Sequence, residues 1–384
     1  MIPEHAIVDL TAQSYALSKA WVPVTKGRHR MKAVVENEHG GPEVLTVSEI
    51  PTPELGPDDV LIDVAAAGLN RADALQRQGK YPVPEGASSV YGLEVSGTVR
   101  ALGDDAARTS FLKEGHKVVA LLAGGGYAEQ VVVNHAQVLP APANIDLEEA
   151  AGLPEVAATV WSNLFGPGGL NPDGPRKKDG EQSVLIHGGT GGIGTHALQL
   201  CRALGYHVFT TVGSAEKVAW VEDLLARQDE ANAAKNAPRT LGQATVINYR
   251  EQDFSEIIRE QTQGVGVRAI LDVVGGKYLE SNVASLSVNG LLTVIAVQGG
   301  RHGSMDLGAL MTKRATVRGT TLRALTSEKK GEILRLMAGT VWRMVSDGLI
   351  DPLVGRRFGL DEVRAAHEFF DSADQRGKTV LVMG

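Results

Sequence analysis

A chain of 384 residues, 22% charged and 43% hydrophobic, is long enough for two domains, each with its own core. Its net charge of −7 excludes a general binder of nucleic acid or anionic membrane, because phosphate contacts need clustered Lys and Arg. The lone cysteine, Cys201, excludes an intrachain disulfide and a closed thiolate zinc site, and no apolar run reaches membrane-spanning length, so a cytoplasmic protein is expected.

Residues 1–30 lack clear periodicity and read either as a disordered tail or as a start assigned too early, with Met31 as the true beginning. From Met31 to about Asn163 the pattern is β-rich. Short strands are predicted over Met31–Glu36, Leu45–Glu49, Val60–Ala65, Glu94–Ala101 and Lys117–Leu122, separated by Pro/Gly turns. A helical pattern covers Leu147–Asn163. The polar stretch 166–182 reads as an exposed excursion. Strands predicted over Ser183–His187, His207–Val212, Ala244–Tyr249, Ala269–Val274 and Leu291–Val297 then alternate with helical patterns, which is the signature of an open parallel α/β sheet. A second polar stretch, 226–242, extends one connecting helix into a surface loop. A helix over Lys329–Gly348 and strands over Leu353–Phe358 and Lys378–Met383 close the chain. The plan is an extension (1–30), a β-rich domain (31–163), a doubly wound dinucleotide-binding domain (164–322) and a return to the first domain (323–384), with a cleft between the two.

The stretch that organises the chain is Ser183–Leu204. A buried-strand pattern meets a glycine cluster, and Ala197, Cys201 and Leu204 follow at helical spacing. Gly189, Gly191 and Gly194 fit the dinucleotide fingerprint G-x-G-x-x-G between strand and helix, so Gly189, Thr190, Gly191, Gly192, Ile193 and Gly194 are expected to hold the pyrophosphate. The second strand ends in Val212-Gly213-Ser214-Ala215 without an acid for a ribose 2′-hydroxyl. Ser214 and Lys217 suit a 2′-phosphate instead, which predicts NADP(H) over NAD(H). The scattered histidines show no ligand spacing in the β-rich domain, and the chain reads as having no metal site.

The sequence resembles the zeta-crystallin-like quinone oxidoreductase branch of the medium-chain dehydrogenase/reductase superfamily over about Met31 to Met383. The blocks that carry the resemblance are Ala66–Asp73 with Arg77-Gln78-Gly79-Lys80-Tyr81, Tyr91–Gly97, the glycine turn, and Gly377–Leu381. It implies a GroES-like catalytic domain built from both chain ends, a Rossmann domain between them, and a homodimer. Zinc-dependent relatives carry Cys where Asn70 stands and Gly-His-Glu where this chain has Gly92-Leu93-Glu94. The resemblance further implies that Asn70, Asp73, Tyr81 and Thr159 lie near the nicotinamide. It sets Ser214, Lys217 and Tyr249 around the 2′-phosphate, with further contacts from Val274, Gly275, Val297, Gly299 and Arg323. The insertion 226–242 most unsettles the place of Tyr249, because it separates the strands that carry these groups.

The expected activity is metal-independent hydride transfer from NADPH to a quinone or related conjugated carbonyl acceptor, with Asn70 and Tyr81 as hydrogen-bond donors to the acceptor oxygen. Glu94 reads as structural. Reduction of an enoyl double bond is the alternative within enzymes, and an NADPH-binding sensor with little turnover is the alternative outside them.

Overall fold

The structure, a computed structural model, describes residues 30–175 and 183–384. The expectation for the N-terminal extension and the end of the first polar stretch therefore lie outside the described residues. The described residues open with an antiparallel pair, β1 (Arg30–Val35) and β2 (Thr46–Pro51). There follow β3 (Asp59–Gly68), α1 (Arg71–Arg77), β4 (Glu94–Leu102), α2 (Asp104–Thr109), β5 (Lys117–Leu121), β6 (Gln130–Asn134) and β7 (Val138–Pro140). Two helices, α3 (Leu147–Ala150) and α4 (Pro154–Leu164), lead onward. The alternating region comprises β8 (Ser183–His187), α5 (Gly192–Ala203), β9 (His207–Val212), α6 (Ala215–Ala233), β10 (Ala244–Asn248) and α7 (Phe254–Gln261). It continues through β11 (Val267–Asp272), α8 (Leu279–Ser285), β12 (Leu286–Val294), α9 (Leu307–Lys313) and β13 (Thr316–Gly319). Last come α10 (Ser327–Ser346), β14 (Val354–Gly359), α11 (Val363–Asp371) and β15 (Lys378–Val382).

The alternating region forms a six-stranded sheet, order β10-β9-β8-β11-β12-β13, paired in parallel throughout. Its central strands carry apolar middles, Val184-Leu185-Ile186 and Ala269-Ile270-Leu271, because helices cover both faces; every residue of β8 and β11 is buried. The order reverses between β8 and β11, and a crevice opens there beyond the carboxyl ends of the strands. A second, seven-stranded sheet has the order β14-β15-β3-β4-β5-β7, with β6 added to β3. β15 pairs antiparallel with β3 through Val380 and Gly68, so the end of the chain is built into the sheet of its first half. A direct seam joins the sheets: the Gly377 N–H donates to the Thr190 carbonyl, 2.9 Å, within the glycine turn.

The structure departs from the sequence expectation in places with physical causes. The helical pattern over Leu147–Asn163 is two helices, because Pro154 lacks an N–H and so starts a new helix rather than continuing the old one. Strands β6, β7 and β13 were not anticipated; β7 and β13 are only three and four residues long, too short to show an alternation. The insertion expected to disturb Tyr249 lies at the far end of α6, where Gly242 packs on the Tyr206 backbone before β9 begins. Parallel strands carry their connections back to the opposite edge of the sheet. An insertion there leaves the carboxyl ends of β9 and β10 in register, Val212 opposite Asn248.

Candidate functional site

The glycine turn runs from β8 into α5. Gly188 takes a φ of +77°, which only glycine adopts without strain, and the chain reverses there towards the helix. A Cβ on Gly194 would overlap the Gly188 backbone, so the third fingerprint glycine serves the packing of helix on strand. Gly191 differs: the nearest atom to an added Cβ is 3.7 Å away, and the space beyond it is the groove. The free N–H groups at the start of α5 open towards that groove, which has a volume of about 320 Å³ and is lined by Thr190, Gly191, Gly192, Ile193 and Gly194 among others. Gly189 lies beneath them against Thr210.

At one end of the groove the tips of β9 and β10 meet. Ser214 caps α6 by accepting from the Lys217 N–H, 3.2 Å, and the Lys217 side chain lines the groove together with Tyr249. The Tyr249 ring lies against Gly213, where an added Cβ would sit 2.7 Å from the hydroxyl. Burial, then the charges of Arg376 and Arg250, depress the Lys217 ammonium, so these cations converge on one spot. Arg250 and Arg376 were not singled out from the sequence. Arg250 adjoins Tyr249, but Arg376 arrives from the far end of the chain and carries no local signal. Glu216 points outward, 84% exposed, and pairs with Arg376 at 3.3 Å. The arrangement suits a multiply charged phosphate.

Beneath the groove, His187 is buried between Thr211 Oγ1, 2.9 Å, and Asn282 Oδ1, 2.8 Å. Burial lowers its pKa to about 4, so it is neutral and structural. The loops after β11 and β12 lie together, with the Gly299 N–H donating to the Val274 carbonyl, 2.7 Å, and Val297 against Gly275. Asp272 holds the first of these loops by accepting from the Val274 and Gly275 N–H groups. Cys201 is buried and its thiol is pushed up, which keeps it inert.

The other end of the groove is ionic and buried. Lys378 Nζ donates to Glu94 Oε1 (2.6 Å), Asn70 Oδ1 (2.9 Å) and the Leu69 carbonyl (2.9 Å). The Lys378 stem passes Gly192, where an added Cβ would lie 2.6 Å from Cδ. Asn70 lines the groove, but its amide N–H groups are engaged by Glu94 Oε1 and the Gly68 carbonyl. The expectation that Asn70 donates to an acceptor oxygen is corrected accordingly: the amide orients the ion pair instead. Glu94 Oε2 also accepts from the Glu155 N–H, 2.9 Å, tying the start of α4 to this cluster. Thr159, 6% exposed, sits one turn along the same face of α4. Asp73 accepts from the N–H groups of Asn70 and Gly92 and from the Tyr127 hydroxyl, and burial raises it to about 6.

Tyr81 is part-buried, with the Arg323 guanidinium 5.5 Å from its ring centre. Arg323 does not line the glycine-turn groove. Its Nε donates to the Ala123 carbonyl, 2.8 Å, and its Nη2 to Gln76 Oε1, 2.7 Å, on the side of the seven-stranded sheet. Its placing among the cofactor contacts is corrected to the cleft wall beside Tyr81. Glu155 and Lys330 complete this corner and were not foreseen. An acid in the first turn of a helix is ordinary for the helix dipole, and Lys330 is one of many helical lysines.

Among the described residues, no set of three or more His, Cys, Asp and Glu side chains is gathered as for a metal ion, and no helix is long and apolar enough to cross a membrane. Residues 56–143 match the alcohol dehydrogenase GroES-like domain, and residues 192–339 match the family described as zinc-binding dehydrogenase. Quinone oxidoreductase 1 of Escherichia coli is 30% identical over 356 residues, covering 90% of this chain and 98% of that protein. The rat quinone oxidoreductase is 28% identical over 362 residues, covering 93% of this chain and 99% of that protein. The crystal structure of Escherichia coli quinone oxidoreductase complexed with NADPH superposes with a TM-score of 0.72 at 27% identity, covering 92% of this chain and 99% of that one.

Proposed function

The chain belongs to the quinone oxidoreductase branch of the medium-chain dehydrogenase/reductases, with a GroES-like domain beside a Rossmann sheet, and from that premise we propose that it reduces quinones with NADPH. The observation that carries the reading is the groove itself: a glycine turn with open space at Gly191, and Lys217 at its far end with the charges of Arg376 and Arg250 close enough to act on it. The residues present fit NADP(H). The α5 N-terminus would hold the pyrophosphate, Tyr249 would pack beside the adenosine, and Lys217 with its neighbouring cations would meet the 2′-phosphate. Thr159 and the loops bearing Val274, Gly275, Val297 and Gly299 would border the nicotinamide. When bound, the cofactor supplies a hydride; the protein orients the acceptor, excludes water and places donors at its oxygen.

Metal independence is part of the proposal. Where the zinc-dependent relatives carry ligands, this chain has Asn70, which holds Lys378, and the apolar Leu93, and an ammonium already supplies the positive charge. We take 31–163 with 323–384 as the catalytic unit and 164–322 as the dinucleotide unit, consistent with β14 and β15 joining the seven-stranded sheet. A homodimer is supported by the open edge at β13 and by Leu307 and Met311 on α9, 63% and 77% exposed. The buried lone thiol suits the cytoplasm.

The test is loss of NADPH absorbance with a panel of quinones and enones, repeated with NADH and with a chelator. Chelator-insensitive quinone turnover with NADPH preferred supports the reading. Turnover of enones alone replaces it with double-bond reduction, and tight NADPH binding without turnover replaces it with a sensor.

A further inference from the structure

Two charged groups in the corner beside Tyr81 are left with unused hydrogen-bonding atoms. Arg323 is 3% exposed, and its Nε and Nη2 are bonded, yet its buried Nη1 has no partner among the described residues. Glu155 is part-buried, with its backbone N–H bonded to Glu94, yet its buried Oε2 likewise has none. Leaving such atoms unpaired costs about 1–3 kcal/mol each, more for charged groups, so their persistence calls for a reason. The fields of Glu155 and Arg323 act on each other and on Tyr81, which places all three at one corner. Val156, the neighbour of Glu155, lines the cofactor groove, and Glu94, which accepts from the Glu155 N–H, also holds the groove-lining Lys378, so the corner adjoins that end of the groove.

We infer that Glu155 and Arg323 together form the acceptor-oxygen site of the cleft, with the Arg323 Nη1–H holding the oxygen and Glu155 Oε2 delivering its proton. The inference rests on the quinone reductase reading and deepens it. Tyr81 is thereby a positioning residue, its ring packed under the guanidinium.

The step balances. Hydride from the cofactor reduces the quinone, the electron pair settles on the carbonyl oxygen, and Arg323 stabilises that charge. The O–H bond of the Glu155 carboxyl breaks, a new O–H forms on the substrate, and the carboxylate recovers a proton from water. The hydrogen carried by the hydride is the second of the hydroquinone's two and reaches the other oxygen by tautomerisation through solvent, so quinone, NADPH and one proton give hydroquinone and NADP+.

Glu155 is suited to this because it is an acid at neutral pH. Burial, and then the charge of Glu94, raise its pKa to about 8; Asp73 acts in the same sense, while Lys378 and Lys330 act against it. Below that pH the carboxyl holds its proton, and above it the donor is lost. Activity dependent on Glu155 therefore falls as pH rises through about 8.

The experiment compares wild type with Glu155→Gln and Glu155→Asp. For each, kcat against pH with NADPH and a benzoquinone is measured, together with NADPH affinity, and the carboxylic C=O infrared band of the free protein is titrated. The expected result is a wild-type kcat that declines above about pH 8 and an infrared band that titrates there. E155Q loses kcat by about 100-fold, loses the alkaline limb and the band, and keeps its NADPH affinity, while E155D regains part of the rate. If E155Q also binds NADPH poorly, E155D decides, because it retains a carboxyl and must retain a limb. An E155Q rate within about twofold of wild type with the same limb overturns the inference and leaves quinone reduction standing. A wild-type protein inert towards every quinone overturns both.

Discussion

The two ends of the cleft recognise charge by opposite means. At the phosphate end, Lys217, Arg250 and Arg376 stand nearer the surface around a backbone cradle, and Arg376 is held by the Ala373 and Gln375 carbonyls of its own loop and by Glu216. At the acceptor end, Glu94, Lys378, Asp73, Glu155 and Arg323 are withdrawn from water and held by bonds from several distant segments. Cations that keep part of their contact with water bind a multiply charged ligand while losing less to desolvation, and salt screens them. Buried groups lose hydration, so each needs a partner, and those without one are free to meet the substrate. The difference predicts salt sensitivity at one end and pH sensitivity at the other.

The largest effect expected is at the joint between the ends. Lys378→Met leaves Glu94 buried with no cation and should destabilise the protein by about 3–5 kcal/mol. Chemical denaturation measures this directly. A loss below about 1 kcal/mol would mean that Glu94 takes up a proton easily and that the pair does not organise the site.

Next comes the glycine turn, where two similar substitutions separate fold from ligand. Gly194→Ala drives a methyl into the Gly188 backbone and should lower the melting temperature and abolish NADPH binding together. Gly191→Ala adds a methyl to open space at an extended φ of −80°, so stability should be unchanged. Its NADPH affinity should nevertheless fall by about 30-fold, or about 2 kcal/mol, because the methyl occupies the line of approach of the pyrophosphate. Equal affinity in G191A would place the pyrophosphate elsewhere.

The phosphate end gives a smaller effect. Lys217→Ala and Arg376→Ala should each weaken NADPH binding by about tenfold, or about 1.4 kcal/mol, with NADH almost unaffected and the NADPH advantage shrinking as salt rises. Calorimetric titration at low and high salt checks it. Equal losses for both nucleotides would show that these cations hold the pyrophosphate rather than the 2′-phosphate.

What could be read in the sequence divides along the same line. Ser183–His187 and Gly189–Gly194 stand together because a strand, its turn and its helix are contiguous, and a 2′-phosphate preference is visible in the absence of an acid after Val212. The seven-stranded sheet is harder to read, since β15 reaches β3 across most of the chain and no local period records that pairing. The acceptor corner is hardest. Tyr81, Glu155, Arg323 and Lys330 come from separate segments, and no spacing connects them. Asn70 shows the converse: it lines the groove, as its motif suggests, but only the bonds to Glu94, Gly68 and Lys378 show that its amide is already engaged.

The smallest predicted effect is the most discriminating. Tyr81 has the features of a proton donor by motif, and its hydroxyl has no partner among the described residues, but burial and the Glu155 charge raise its pKa above the ordinary phenol value. A phenol that holds its proton more tightly is a poorer acid at neutral pH than a neighbouring carboxyl near 8. Tyr81→Phe keeps the ring under Arg323 and removes only the hydroxyl, so kcat should fall by about threefold, or about 0.7 kcal/mol, with the alkaline limb intact. Steady-state kinetics across pH measures both quantities. A fall of 100-fold with loss of the limb would return the proton to Tyr81 and reduce Glu155 to a source of field, because one acceptor oxygen takes one proton and the limb belongs to whichever group gives it.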